Sequence, residues 1–346
     1  MIRSFGLHDV FLMLSLQRSS AALAIENILT HPRAPLWIAL TAPWPWAGIG
    51  VATYVLRDTI EDMPVSGFSQ LMKRAARPEA DLLHLAPALP TTSMDEAVGE
   101  AIWGRLLGHC ALAAGGHGLQ RVYASITDGS PEEACLREAG FSLYTRETIH
   151  RLALAPESRR EPQGSRAAGF RPQGPQDSWA LQRLYTRGTP RLVQQAEGAV
   201  TGDVGSPPLS WWEPDRWRGI VWEPAGEARA AVQVHIGRAG HWLRIWGTNM
   251  LVPRELRALV AEGLRVISGS FPHRDRKALP VYATVRDYEI GLGSVLTGFG
   301  FAPYASRARF VRHTGAVRQP ETSVARAGLE GSAHQEMPIR SQTWRT

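Results

Sequence analysis

A block of sequence that occurs twice constrains this chain more than any other feature. The first copy spans Leu119–Leu154 and the second spans Leu279–His313. Each copy opens with a β-branched strand, passes through an acid into a helical segment, turns at Gly-Phe and closes with an alternating strand. The shared cores read VYASITDGSPEEACLREAGFSLY and VYATVRDYEIGLGSVLTGFGFAPY. The copies lie roughly 160 residues apart, which is a domain-sized period and therefore indicates a duplicated domain.

The length agrees with a duplication, because 346 residues are enough for two domains that each bury a core. We predict an N-terminal domain over residues 1–155 and a C-terminal domain over residues 170–314. Residues 156–169 are rich in Pro, Gly, Ser and Arg, which is typical of a linker. Residues 315–346 are polar and without pattern, so we expect a disordered tail.

Charge and cysteine content exclude several classes of function. The net charge is +6, but the arginines are scattered among acids and form no basic run, so we expect no nucleic-acid partner. The two cysteines, Cys110 and Cys135, have no metal-ligand spacing, and we predict a reduced, cytoplasmic protein without a bound metal. No stretch is long enough for a membrane span, and Met1–Ala24 favours an amphipathic helix over a signal peptide.

Both predicted domains show the order β-α-α-β-β-β-α-β-α-β-β. In the first domain the early helices are predicted at His8–Gln17 and Ala21–Thr30, and in the second domain Asp177 occupies the place of Asp9. A Ser-x-x-Glu capping box predicts that a long helix begins at Ser93. The predicted fold class is therefore α/β, with two similar domains that each have their own mixed, mainly antiparallel sheet flanked by helices.

This order of elements, together with the strand-acid-helix-Gly-Phe block, resembles the GCN5-related N-acetyltransferase (GNAT) family, and the chain resembles a tandem pair of such domains over roughly Met1–His313. The resemblance implies transfer of an acyl group from acetyl-CoA or another acyl-CoA to an amine of a small molecule or peptide. In that family the fourth and fifth strands separate and the acyl-pantetheine arm lies between them. The pyrophosphate rests on unpaired N–H groups at the start of the following helix. A homodimer is left open.

Both copies depart from the phosphate-binding signature of that family, Arg/Gln-x-x-Gly-x-Gly/Ala. The first copy has Leu89–Glu96, which contains no glycine and brings two acids into the first helical turn. The second copy has Gly247–Arg254, with one glycine. Many members also carry a tyrosine that protonates the leaving thiolate. The matching positions here are Leu136 and Leu296, and a leucine cannot transfer a proton.

Cofactor-binding candidates follow from the second copy, at the helix that begins near Pro253. Arg254 and Arg257 are three residues apart and share a face, where both can meet a phosphate. No Ser, Thr, Asp or Asn precedes Pro253, so the first-turn N–H groups have no evident cap. Trp246 and Gly247 come just before this helix and complete the predicted site. The ordinary alternative is a solvated helix start.

His241 and Tyr304 are the candidate catalytic residues. His241 begins the strand that matches the one carrying His84, a position where the family can place a general base. The alternatives are structural: strand histidines are usually hydrogen-bonded core residues, and strand tyrosines usually pack with the hydroxyl at a rim. Trp242, Arg244 and Trp246 alternate onto one strand face, either as an aromatic wall for a ligand or as a core face beneath helices.

Two classes of function remain open on the sequence. The first is an acyl-CoA-dependent N-acyltransferase whose activity lies in the C-terminal domain. The second is a non-catalytic relative, a binding or scaffolding module that kept the fold without the chemistry. Fold alone cannot decide between them, because function depends on the site.

Overall fold

The computed structural model describes residues 1–42, 45–46, 50–60, 62–74, 77–89, 93–153, 169–198, 217–247, 251–269 and 279–315. For residues 93–95 it describes the backbone alone. Most of the predicted linker and almost all of the predicted tail lie outside these ranges, as does the loop at residues 201–216. The capping box at Ser93 depends on a side chain that is also outside the description.

The first half contains seven strands and five helices within the described residues. The strands are β1 (Ile2–Ser4), β2 (Ala21–Ala22), β3 (Val51–Ile60), β4 (Met63–Lys73), β5 (Glu79–Ala86), β6 (Arg121–Thr127) and β7 (Ser142–Leu152). The helices are α1 (Val10–Leu16), α2 (Ile25–Thr30), α3 (Pro35–Thr41), α4 (Ser93–Gly116) and α5 (Glu132–Glu138).

The second half repeats this order without counterparts of β2 and α3 in its described part. The strands are β8 (Phe170–Pro172), β9 (Trp217–Trp222), β10 (Ala230–Ile236), β11 (His241–Trp246), β12 (Val281–Arg286) and β13 (Ala302–His313). The helices are α6 (Ser178–Gly188), α7 (Arg191–Glu197), α8 (Pro253–Gly269) and α9 (Leu292–Gly298).

All the described strands belong to one sheet, in the order β1-β3-β4-β5-β6-β13-β7-β12-β11-β10-β9-β8, with β2 joined to β5. The closing strand of each half is exchanged: β13 pairs with β6 of the first half, and β7 pairs with β12 of the second. These two strands also pair with each other in antiparallel fashion. The predicted fold class is confirmed, but the expectation of a separate sheet for each domain is wrong.

Matching ion pairs at the start of each half support the duplication. Arg3 donates to both carboxylate oxygens of Asp9 at 2.7 Å, and Arg171 does the same to Asp177 at 2.8 and 2.6 Å. Each carboxylate also accepts the backbone N–H of the glycine three residues earlier. The predicted equivalence of Asp9 and Asp177 is therefore confirmed.

Helices cover both faces of the sheet, and each half has its own core. On one face α4 and α5 pack on the first half, and α8 and α9 pack on the second, with Trp103 and Leu259 both fully buried. On the other face α1 and α3 pack on the first half and α6 packs on the second. Helix α2 is different, because its Ile25 and Leu29 contact Trp242 and Tyr282 of the second half. The first half therefore reaches across the junction through α2.

Two predictions about the early helices need correction. The predicted helix Ala21–Thr30 begins only at Ile25, since Ala21–Ala22 is a strand. Helix α3 was not predicted; it begins at Pro35, and proline is well tolerated at the first position of a helix. Both cysteines are free and buried, and no metal-ligand cluster occurs in the described part of the chain. No described helix is long and apolar enough to cross a membrane.

Candidate functional site

Each half contains a pair of parallel strands that separate after three residue pairs. In the first half β5 and β6 pair from Glu79 and Arg121 to Asp81 and Tyr123. In the second half β11 and β12 pair from His241 and Val281 to Leu243 and Ala283. We call the space between residues 82–86 and 124–127 gap 1, and the space between residues 244–246 and 284–286 gap 2. In the family that the sequence resembles, this is where the pantetheine arm lies.

Gap 1 is filled by the chain itself. Ala21 and Ala22 pair with β5 in antiparallel register. The next residue, Leu23, donates its backbone N–H to the carbonyl of Leu83 at 2.9 Å and accepts the N–H of Ser125 at 2.9 Å. One residue thus bridges both strands of the gap. Unpaired backbone groups in a buried gap are costly, so this segment satisfies donors and acceptors that the separation of β5 and β6 leaves open.

Side chains hold the segment in gap 1. Leu23 is 2% exposed and belongs to the core beneath α4. The guanidinium of Arg307, from the exchanged strand β13, donates to the carbonyl of Ala22 at 3.1 Å and also to the carbonyl of Ser125. Burial of Arg307 lowers its pKa to about 10, so the group still carries its charge near neutral pH. Gap 1 is therefore closed by the chain itself. Backbone pairing, the packing of Leu23 and the hydrogen bonds of the Arg307 guanidinium all hold the segment in place.

Gap 2 is crossed by side chains instead. Arg244 of β11 donates to the hydroxyl of Thr284 at 3.3 Å and to the carboxylate of Glu289 at 3.0 Å. The other oxygen of Glu289 accepts the backbone N–H of Arg286 at 2.8 Å. Arg244 and Glu289 are both buried, and the Nε–H of Arg244 has no hydrogen-bond partner among the described residues. A buried donor without a partner is uncommon in folded proteins.

The connection between α6 and α7 explains part of this difference between the gaps. In the first half the equivalent connection, between α1 and α2, supplies the strand that fills gap 1. In the second half the connection between the helix ends is Thr189-Pro190. Proline has no N–H to give to a neighbouring strand. Within the described residues no strand lies in gap 2 between β11 and β12.

A buried network below gap 2 attaches α7 to β12. Arg286 donates to Glu197 at 2.5 Å, and Tyr185 of α6 donates to the same carboxylate at 2.6 Å. Burial by itself raises the pKa of Glu197, but the neighbouring Arg286 charge and these hydrogen bonds outweigh it and hold the pKa at about 2. The carboxylate is therefore ionised at neutral pH, and we assign it to positioning α6 and α7 rather than to proton transfer.

The start of α8 carries the predicted phosphate ligands. Arg254 and Arg257 are both exposed, and no described residue pairs with either side chain. The side chain of Glu255 turns back to this helix start, where it accepts the N–H of Val252, the residue before the helix, at 3.0 Å. Glu255 also pairs with Arg229 at 3.1 Å, so its charge is partly compensated. The two arginines are free to meet an anion.

Trp246 and Gly247 lie at the end of β11, beside gap 2. Trp246 is buried, its indole N–H donates to Gln233 at 3.0 Å, and its ring lies 5.6 Å from that of Tyr185. Gly247 has φ +85°, and a Cβ there would lie 2.7 Å from the carbonyl oxygen of Arg229. The glycine is required by this turn, and the tryptophan serves the core beneath α6.

The two catalytic candidates lie at the paired end of the strands rather than in the gap. His241 is 2% exposed and stands opposite Val281, two pairs before the strands separate. Tyr304 is exposed on β13, and its ring lies 5.6 Å from that of Tyr282. His84 is buried beside Ala22, and burial lowers its pKa to about 4, so it is neutral near pH 7. The structure does not bring these groups together.

The residues at the usual tyrosine position also belong to the core. Leu136 of α5 and Leu296 of α9 are both fully buried. Sequence reasoning missed the groups that cross gap 2, although one signal was available. Glu289 stands two residues after the repeated acid Asp287, where the first copy has a serine. An additional acid opposite the buried arginine of β11 could have indicated a pair across the gap.

Comparison with known proteins supports this description of the fold. No family model matches the sequence, and no curated protein matches it. The structure is similar to a GCN5-related N-acetyltransferase from Sphaerobacter thermophilus, with a TM-score of 0.50 and 13% identity over 91% of this chain and 95% of that one. It also matches a tandem GNAT protein from the clavulanic acid biosynthesis pathway, with a TM-score of 0.49 and 16% identity over 91% and 98% of the two chains. At 13% identity the similarity to the Sphaerobacter thermophilus protein shows the fold alone, and that fold is the GNAT fold.

Proposed function

We propose that this GNAT-fold protein is an acyl-CoA-dependent N-acyltransferase that binds its acyl donor in gap 2. A fold by itself does not define a reaction, so the proposal depends on the contents of the two gaps. Gap 1 is occupied by a backbone segment that makes the pairing interactions a pantetheine arm would need. Gap 2 has side chains across it and no paired strand within the described residues. This difference is the observation that carries the proposal.

The residues around gap 2 have chemistry suited to an acyl-CoA. Arg254 and Arg257 would hold the pyrophosphate through charge-assisted hydrogen bonds at the start of α8, where the helix dipole also favours an anion. The unpartnered Nε–H of Arg244 would donate to the thioester oxygen, where negative charge develops during attack. The neutral amine attacks the thioester carbon, the C–N bond forms and the C–S bond breaks. The remaining proton passes from nitrogen to the leaving thiolate.

Two observations favour the non-catalytic alternative. The Arg244–Glu289 pair spans gap 2 and is almost fully buried. Replacing a buried ion pair by a ligand is costly unless both charges stay compensated. Leu296 also leaves no proton donor at the usual position. A binding module with a sealed gap 2 would show the same features, and the measurement of acyl-CoA binding separates the two functions.

Calorimetric titration with acetyl-CoA tests the proposal. Wild type is expected to bind, and the double variant Arg254→Ala/Arg257→Ala is expected to bind more weakly by about 2–5 kcal/mol, because two charge-assisted contacts are lost. Arg238→Ala is the matched control, since Arg238 is an exposed arginine of the same half at the opposite end of β11.

The control should bind as wild type does. Equal affinity of the double variant and wild type would refute the assignment of the pyrophosphate site to the start of α8. Absence of binding by wild type would leave the non-catalytic function as the explanation of this fold.

A further inference from the structure

A small polar cavity lies where the two halves meet. It has a volume of about 40 Å³ and extends from the end of the paired region of β5 and β6 to β11 of the second half. Asp81 and Tyr123, the last pair before gap 1, line it on one side, and Trp242, one residue before the last pair at gap 2, lines it on the other. A water-sized group needs roughly 10–15 Å³ of such volume, so the cavity has room for about three heavy atoms.

The charged groups around this cavity are paired with one another, with one exception. Arg74 donates to Asp81 at 2.8 and 2.7 Å, and it also pairs with Glu79 at 3.1 Å. Arg309 pairs with Glu147 at 3.2 Å. These groups come from β4 and its end, β5, β7 and β13, so both halves contribute to a wall whose charges are matched.

Glu26 of α2 is the exception. Its Oε1 atom is buried and has no hydrogen-bond partner among the described residues. Burial raises the pKa of Glu26 to about 8. The negative charges of Glu147 and Asp81 add to this rise, and the positive charges of Arg309 and Arg244 act against it. A buried carboxyl oxygen without a hydrogen-bond partner costs free energy, and ionisable groups with strongly shifted pKa values concentrate at functional sites.

The missing partner has a definite chemistry. A carboxylate offers acceptors alone, so it is satisfied by a cation that brings N–H donors. The matched pairs around the cavity supply no spare cation for Glu26, because Arg74 and Arg309 each already hold a carboxylate. The cavity has room for an ammonium group on a short alkyl stem.

We infer that the junction cavity binds a primary ammonium group, with Glu26 as its counter-ion and both halves of the chain as its walls. Under the proposed acyl transfer, on which this further assignment rests, the ammonium belongs to the acceptor and must lose one proton before its nitrogen attacks the thioester. The cavity borders Trp242, next to the point where gap 2 opens. The first half would then hold the acceptor while the second half holds the donor.

Titration with ethylammonium chloride, followed by protein NMR without any CoA, tests the site. Its ammonium stays protonated at pH 9, as the lysine side chain with a pKa near 10.4 does. Saturable binding is expected at pH 9. From the pKa of about 8, the ionised fraction of Glu26 falls about tenfold from pH 9 to pH 7, and the affinity should fall by the same factor. Ethanol, of equal size and without charge, should not saturate.

Two variants make the result specific. Glu26→Gln keeps the shape of the side chain and should weaken ethylammonium binding at least tenfold while removing its pH dependence. Glu138→Gln changes an exposed carboxylate on α5 and should bind as wild type does.

Equal binding by wild type and Glu26→Gln, saturation by ethanol, or no saturable binding by wild type at pH 9 would each overturn the site. Ethylammonium binding without acetyl-CoA binding would keep the site and refute the acyltransferase. Acetyl-CoA binding without ethylammonium binding would refute the ammonium site and leave the proposed acyltransferase standing.

Discussion

Replacing Glu26 by glutamine should change how the stability of the protein depends on pH. A carboxyl group whose pKa is raised in the folded state contributes stability that is fully present below its unfolded pKa and is lost as pH rises through the folded pKa. Burial raises the pKa of Glu26 from 4.5 to about 8. Wild type should therefore lose stability between pH 4.5 and pH 8, and the variant, which cannot ionise at this position, should not show that loss.

The magnitude follows from the size of the shift. Each pKa unit corresponds to 1.36 kcal/mol, so a shift from 4.5 to about 8 corresponds to roughly 5 kcal/mol. Relaxation of the cavity and entry of water in the ionised state reduce this value, and we expect about 3–5 kcal/mol. Glu26→Gln should thus gain this amount relative to wild type between pH 5 and pH 8.5.

Urea unfolding at pH 5, 7 and 8.5, followed by two spectroscopic probes, measures the effect. The quantity of interest is the change with pH in the difference between variant and wild type, since any packing effect of the amide that does not depend on pH cancels. Glu138→Gln provides the baseline for an exposed carboxylate. A difference between Glu26→Gln and wild type that stays constant from pH 5 to pH 8.5 would refute the reasoning.

Two further predictions concern the gaps. Arg244→Met should destabilise the fold by about 3–5 kcal/mol, because it leaves Glu289 buried without its cation. The double variant Arg244→Met/Glu289→Gln should be destabilised clearly less. Denaturant titrations measure both, and additive losses of unfolding free energy would contradict a coupled pair. Leu23→Ala should cost about 2–4 kcal/mol of unfolding free energy by removing core packing at gap 1, and it should leave acetyl-CoA affinity unchanged; a change in that affinity would mean that gap 1 takes part in binding.

The repeated block made the fold predictable, but it could not show the exchange of strands. The fold depends on local signals, such as the Gly-Phe turn and the alternating strand after it, and these occur in both copies. The closing strands β7 and β13 carry the same pattern, so either could pair beside β6 or β12. Which edge each one takes is decided by contacts far apart in sequence, and such contacts leave no mark on a local pattern.

The segment in gap 1 shows a second limit. Ala21–Thr30 contains alanines and leucines that favour a helix, and the prediction followed them. In the fold, the open edges of β5 and β6 offer backbone pairing to this segment, and tertiary pairing outweighs a weak local preference. A sequence pattern cannot show that two strands elsewhere in the chain separate and leave backbone N–H and carbonyl groups that a further segment can pair with.

The candidate sites were predictable to different extents. Arg254 and Arg257 could be placed at a helix start because caps and first turns have local signatures. Glu26 could not be identified, because on α2 it reads as the polar residue of an amphipathic helix. Its burial arises only when Ile25 and Leu29 pack α2 against the second half. The environment of Glu26 is formed by the junction of the two halves, which no single repeat contains.

The exchanged strands set a schedule for synthesis on the ribosome. Thr127 at the end of β6 pairs with Arg307 of β13, which is synthesised 180 residues later. At about 5–20 residues per second this delay is roughly 10–40 s, during which the outer edge of β6 lacks its native neighbour β13. An open strand edge is a template for other chains. The exchange of the closing strands therefore lengthens the time for which nascent copies of this protein expose that edge.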